Sequence, residues 1–371
     1  MSTAAQHPAP DPAPAAPSAS APAPPPARSA PPVVPPVVFD RVPWKRVGLF
    51  VVLAYAIFAV FAAPFWFLQG GITHPLFTPV IAVGMWAPAL ASIVMAKGVE
   101  RTNWRTRVGL RFRGRWRGIL VWSVVGVVAI AAVAVLAAVI MVLRGVPGDL
   151  TGRTWLAIGS QQISDLTGTD IPPIAFVLIT AFNLAFGLVV TLFATLGEEI
   201  GWRGWLWPAL RPLGRVRGAL VMGAIWALWH TPVMAIGYNY PGVARWIAIP
   251  FFILPCIAMS LLFCGLADRA GGSPIPSAWA HSAVNSLGST ILGVFATTAT
   301  GAALNPLIDT HAGIVGVVLL IVAAAIIVPW RARRPILRGW PSSPAAQGVD
   351  SVAESPTGST PSAPGSGRID V

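Results

Sequence analysis

The sequence predicts an all-α fold, a polytopic membrane bundle of about eight transmembrane helices carried between two disordered tails. Three observations predict it. Hydrophobic residues make up 55% of the 371 and charged residues only 10%, more apolar surface than a water-soluble fold can hide. The apolar residues gather in unbroken runs long enough to cross about 30 Å of hydrocarbon, instead of recurring at the period of a soluble helix or strand. Lys and Arg collect in every second connection between those runs, which is the charge pattern of cytoplasmic loops.

Taken in order, residues 1–38 are almost entirely Pro, Ala, Ser and Val, too poor in buriable surface to offset the entropy of ordering, and are expected to be a disordered tail. They do not read as a signal peptide, because the first long apolar run comes only after Lys45 and Arg46. The transmembrane domain is expected over 39–340, with spans near 47–69, 78–97, 118–143, 173–196, 218–237, 246–266, 275–297 and 313–330. Arg41, Lys45 and Arg46 precede the first span, and seven arginines from Arg101 to Arg117 join the second to the third. Arg211, Arg215 and Arg217 precede the fifth span, Arg269 follows the sixth, and Arg331, Arg333, Arg334 and Arg338 follow the eighth. The alternate connections are poor in basic residues, so the pattern predicts a multi-pass protein of the cell membrane with both termini in the cytoplasm. Within the long stretch 144–172, Trp155, Leu156 and Ile158 among polar residues predict a short amphipathic helix lying along the interface. Residues 341–371, rich in Ser, Pro, Gly and Ala, read as a second disordered tail.

The formal net charge of +12 from 25 Lys and Arg does not point to nucleic acid. The basic residues flank the spans on alternate sides instead of forming one patch on a soluble face. Cys256 and Cys264 lie in one apolar segment without CxxC spacing, which argues against a disulfide or a thiolate metal site. The lipid bilayer is therefore the first partner the chain implies.

A carboxylate within or at the end of a span is costly, by at least about 2.5 kcal/mol on insertion scales. Glu198 and Glu199 close an uncharged run from Ile174 to Leu196 and are followed at once by Ile200, Trp202, Trp205, Leu206 and Trp207. If the helix continues, Glu199 and Arg203 stand four apart on one face and form an ion pair, while Glu198 points about 100° away. One carboxylate is then fixed and its neighbour is left for chemistry. Taken alone, the pair reads equally well as an ordinary cytoplasmic helix end. His230 in the fifth span, and His281 with Asn285 four residues on in the seventh, shift that balance. Such residues normally face the bundle interior and seek one another. Peptide hydrolysis needs an activated water, a stabilised oxyanion and a proton for the leaving amine. A glutamate can move the proton, two histidines can hold Zn²⁺ or orient water, and an asparagine can donate to the oxyanion. No soluble-type HExxH and no nucleophile elbow is present.

The order Glu198-Glu199-x-x-x-Arg203, Trp226-x-x-x-His230 and His281-x-x-x-Asn285 resembles the three motifs of the CPBP (Abi) intramembrane metalloproteases, the CAAX prenyl-endopeptidase and bacteriocin-processing superfamily. The resemblance covers about 175–290. It implies a bundle of eight or so transmembrane helices and a metal-dependent endopeptidase acting on a peptide or protein substrate, by CAAX-type C-terminal cleavage or leader-peptide processing. By the same resemblance Glu198 is the base that activates water, with Glu199 and Arg203 supporting it. His230 and His281 are implied as metal or water ligands, with Glu198 completing a Zn²⁺ set, and Asn285 lies beside the oxyanion. The second motif more usually has Phe where this chain has Trp226; an aromatic is kept, so its packing role is expected to survive. Two other readings stand beside this one. A proton-coupled transporter would use the same groups as a relay, and a catalytically silent scaffold or immunity protein would keep the fold alone.

Overall fold

Eight helical passes follow one another where the eight spans were predicted, in a computed structural model that describes residues 39–112, 114–296 and 304–328. The first pass is α1 (Trp44–Ala62). The second is broken into α2 (Phe77–Gly84) and α3 (Ala87–Val94), with Pro88 in the first turn of α3, and ends in a wide π turn at Met95–Val99. After the short α4 (Trp104–Arg107) comes α5 (Trp116–Leu143), the third pass. Within 144–172, where a short amphipathic helix was expected, lies α6 (Arg153–Thr167), no residue of which is fully buried. The fourth pass, α7 (Pro173–Glu199), runs on through a π-helical turn, Ile200–Leu206, into α8 (Trp207–Leu210). α9 (Arg215–Trp229) and the short α10 (Thr231–Ala235) make the fifth, α11 (Arg245–Phe251) and α12 (Ile253–Arg269) the sixth, α13 (Ile275–Phe295) the seventh and α14 (Ile314–Ile327) the eighth. No β-strand occurs among the described residues, where the only pairing of that kind is a single bridge between Gly148 and Ala296.

Five of the passes are long and apolar enough to cross a membrane by composition alone: Trp44–Trp66, Phe77–Val99, Trp116–Leu143, Pro173–Leu213 and Arg245–Arg269. The other three are short or polar. α9 has 15 residues and α14 has 14, while α13 has 21 but carries Ser277, His281, Ser282 and Asn285. Two of these three weaker passes, α9 and α13, carry part of the candidate site, as expected if their polar faces meet other helices and not lipid. The protein is thus a multi-pass helical membrane bundle. Both tails, and the arginines beyond residue 328, lie outside the described residues.

Lipid chains are as apolar as leucine, so membrane helices are held together by close packing of small residues and by hydrogen bonds between helices. α13 packs chiefly on α5 and α7, and α12 between α9 and α14. Where α12 meets α9, a Cβ on Gly223 would come within 2.5 Å of the Ile257 backbone. Hydrogen bonds reinforce the contact of α13 with α7: Ser282 Oγ donates to the Leu188 carbonyl at 2.6 Å and Thr195 Oγ1 to that of Ala278 at 3.0 Å.

The arginine-rich connection differs in part from its sequence reading. Arg107, one of the seven arginines assigned to loop charge, is buried and pairs with Glu100 at 2.7 Å while its guanidinium lies 4.9 Å from the Trp205 ring centre. Trp205 Nε1 also donates to Glu100, at 3.4 Å. A charge next to a carboxylate and an indole face is stable inside, where a lone charge is not. On the opposite flank Asp268 accepts from Trp207 Nε1 at 3.0 Å and pairs with Arg211 at 3.3 Å. These two clasps fix both sides of the segment 200–210.

Candidate active site

Where α7 turns inward, every residue from Gly197 to Leu210 is buried. Glycines permit this approach. A Cβ on Gly197 would sit 2.7 Å from Trp86, and one on Gly201 would sit 2.3 Å from Pro88, both inside van der Waals contact, so the turn lies directly on α3. The ion pair expected between Glu199 and Arg203 is present at 2.9 Å with both side chains fully buried. Arg203 reaches further: Nη2 donates to Ser260 Oγ at 3.0 Å, and its plane lies 4.5 Å from the Trp226 ring centre and 5.1 Å from that of Phe263. A planar guanidinium is suited to such a slot, since it can pair, donate and stack at once.

Glu198 points elsewhere, as the helix geometry required. Its Oε2 accepts from Trp226 Nε1 at 2.7 Å and from Trp202 Nε1 at 3.2 Å, and the residue lines a cavity of about 110 Å³, room for several waters. Trp226, expected to pack, therefore also donates a hydrogen bond to the carboxylate. Trp202 was missed, although its place four residues after Glu198 signals a shared helix face.

His230 stands at the joint between α9 and α10. Pro232 cannot continue the hydrogen-bond ladder, and the backbone tightens so that His230 N–H donates to the Ala227 carbonyl at 3.1 Å. The Trp226 carbonyl takes the His230 imidazole Nδ1 instead, at 2.9 Å. A carbonyl only accepts, so Nδ1 carries the proton and Nε2 keeps its lone pair. His281 is buried with Nδ1 3.0 Å from Glu199 Oε1, so this imidazole is oriented by the supporting carboxylate and not by Glu198. Its Nε2 is likewise left as an acceptor, in the arrangement by which a carboxylate sets a histidine's tautomer. Asn285, one helical turn on, is exposed within the cavity.

The structure thus brings Glu198, His230, His281 and Asn285 to one cavity, and places Glu199 and Arg203 behind it. Two imidazoles and a carboxylate are the donor set of a zinc site. Among the described residues, however, no three His, Cys, Asp or Glu side chains stand close enough together to hold a metal ion. As arranged, these residues do not fit a zinc ion. Cys256 and Cys264 are buried free thiols. Sequence reasoning also missed His311, which lines the same cavity from the connection before α14.

Comparison with known proteins meets this geometry at the same residues. The sequence profile of the type II CAAX prenyl endopeptidase Rce1-like family matches residues 179–287, a stretch containing all seven motif residues. The chain is also 26% identical over 165 residues to CAAX prenyl protease 2 of Methanococcus maripaludis, an overlap that takes in 43% of this chain and 51% of that one. The chain spans about half the length of the curated relative it matches. Both matches fall on the core of this chain and agree with the resemblance carried by its three motifs: that core is similar to CAAX prenyl endopeptidases.

Proposed function

We propose that this protein is an intramembrane endopeptidase that hydrolyses a peptide bond of a membrane-associated protein or peptide, by CAAX-type C-terminal cleavage or leader-peptide processing. The observation that carries the reading is Glu198, a carboxylate held on one oxygen by two indoles and facing a cavity that it shares with two imidazole acceptors and an amide. A water in that cavity can give hydrogen bonds to Glu198 and to an Nε2 lone pair. Glu198 accepts one of its protons as the oxygen attacks the scissile carbonyl. The negative charge then forming on the carbonyl oxygen lies within reach of an amide donor from Asn285. Collapse of the tetrahedral species breaks the C–N bond, and the proton held on Glu198 passes to the departing amine. Water, carboxylate and amine balance without another reactant. Glu199 and Arg203 touch none of the reacting atoms; they hold His281 and the Trp226 ring in place.

The test is Glu198→Gln, which preserves shape and removes the base. Cleavage of a peptide library by protein reconstituted in lipid should fall by about 10³-fold, within the range for general acid–base groups, while helical content and unfolding temperature stay at parental values. Parental turnover in this variant would defeat the assignment.

A further inference from the structure

Of the three imidazoles that line the cavity, one belongs to no motif. His311 sits in the connection 304–313, outside the helical spans, and that connection is held from several directions. Asp309 pairs with Arg144, Asn305 N–H donates to Asp309 Oδ2 at 3.0 Å, and Tyr240 Oη donates to the Ala312 carbonyl at 2.8 Å. The imidazole itself lies against Gly288 of α13. A Cβ at Gly288 would stand 2.8 Å from both Cε1 and Nδ1 and 2.9 Å from Cδ2, which places it over the ring face. Any larger residue there would displace the ring. Gly288 follows His281 by seven residues and Asn285 by three, so the glycine that seats His311 shares a helix face with the two motif residues.

We infer that His311 is a third imidazole of this site, one that hydrogen-bonds the backbone of a peptide bound in the cavity. The inference rests on the peptidase reading and adds a substrate contact to it. His311 Nδ1 is buried without a hydrogen-bond partner, a condition that is costly unless a bound group relieves it. Burial also lowers the affinity of this imidazole for a second proton, which favours the neutral ring. A neutral imidazole offers one donor and one acceptor, which matches the N–H and C=O of a peptide group. The ring is tied neither to Glu198 nor to either motif histidine by a hydrogen bond, which suits a substrate contact better than a part in the proton path.

Steady-state cleavage of the best-cleaved member of a fluorogenic peptide library, measured on full-length protein in lipid nanodiscs, tests the inference. His311→Ala should raise KM about tenfold, the worth of one to two neutral hydrogen bonds, with kcat within threefold and the unfolding temperature unchanged. His311→Gln, which keeps a donor and an acceptor, should recover most of the loss. If His311→Ala does not fold, His311→Gln and Gly288→Ala, which moves the ring without removing it, take its place. A parental KM in the folded Gly288→Ala protein would then overturn the inference. So would a parental KM in His311→Ala, or a fall in kcat alone, while Glu198→Gln still abolished cleavage; the peptidase reading would survive either result. If the parent cleaves nothing, or Glu198→Gln cleaves as the parent does, the peptidase reading fails and the inference fails with it.

Discussion

The fourth pass contains two stretches of one continuous helix with opposite characters. From Ile174 to Phe193 nearly every side chain is exposed or half-exposed, Phe176 alone being buried, and the outward residues include Phe182, Phe186 and Val189. From Ala194 to Leu210 all but Leu196 are buried, and the stretch carries two carboxylates and a guanidinium. The first stretch is apolar because lipid is its solvent, and the second is mixed because protein is. Apolar sequence alone therefore does not locate the core of a membrane protein. Its buried parts are marked by the charges and glycines that lipid would reject.

Substitutions can break or sharpen that contrast. The largest effect on stability belongs to Arg203→Ala, which leaves Glu199 buried with its charge unpaired and should cost about 3–5 kcal/mol, read as a large fall in unfolding temperature and in yield. Full stability in that variant would remove the ion pair from the account. Trp226→Phe restores the family's more usual residue and deletes the 2.7 Å bond to Glu198. It should cost about 1.5 kcal/mol, near tenfold in kcat/KM, with a modest fall in stability. Phe186→Leu, in the lipid-facing stretch, should change stability by less than about 0.5 kcal/mol; a larger loss would mean that this face is covered by something other than lipid.

The smallest effect lies outside the membrane, at the start of α6. Asp149 accepts from the Thr151 hydroxyl at 2.6 Å and from the Thr151 and Thr154 amides at 2.8 and 2.9 Å. These bonds, the Thr151 hydroxyl first, hold its carboxyl below the usual carboxylate range. A group depressed on folding contributes above its unfolded value, about 3.9, and its contribution disappears as pH falls through the lower folded one. Amide exchange at the first turn of α6 should thus be insensitive to this group between pH 7 and 5 and rise only in stronger acid, a rise that Asp149→Asn should abolish.

Much of this was legible in the sequence. The eight spans could be read because lipid demands runs of a fixed length, and Glu199 with Arg203 because a helix sets four-residue neighbours on one face. Glu198, His230, His281 and Asn285 stood out as polar groups where hydrocarbon was expected. Arg107 was misread because an arginine in a basic loop looks the same whether it faces water or, as here, a carboxylate and an indole. The orientation of His281 by Glu199 needed the relative placement of α7 and α13, over 82 positions of chain. His311 sits in an ordinary connection whose partner, Gly288, bears no side chain to betray the contact. Trp202 and the break at Pro232 were readable in principle, from spacing and from the missing backbone donor.

The wide turn at Ile200–Leu206 fits one residue more than an α-helix would use over the same rise. Loss of a single codon within it would let the helix close to ordinary pitch and swing everything beyond by about 100° relative to the carboxylates. Arg203 would then leave the shelf between Trp226 and Phe263, and the tryptophans at 205 and 207 would exchange their neighbours for lipid. This part of the gene should tolerate a change of letter more readily than a change of length.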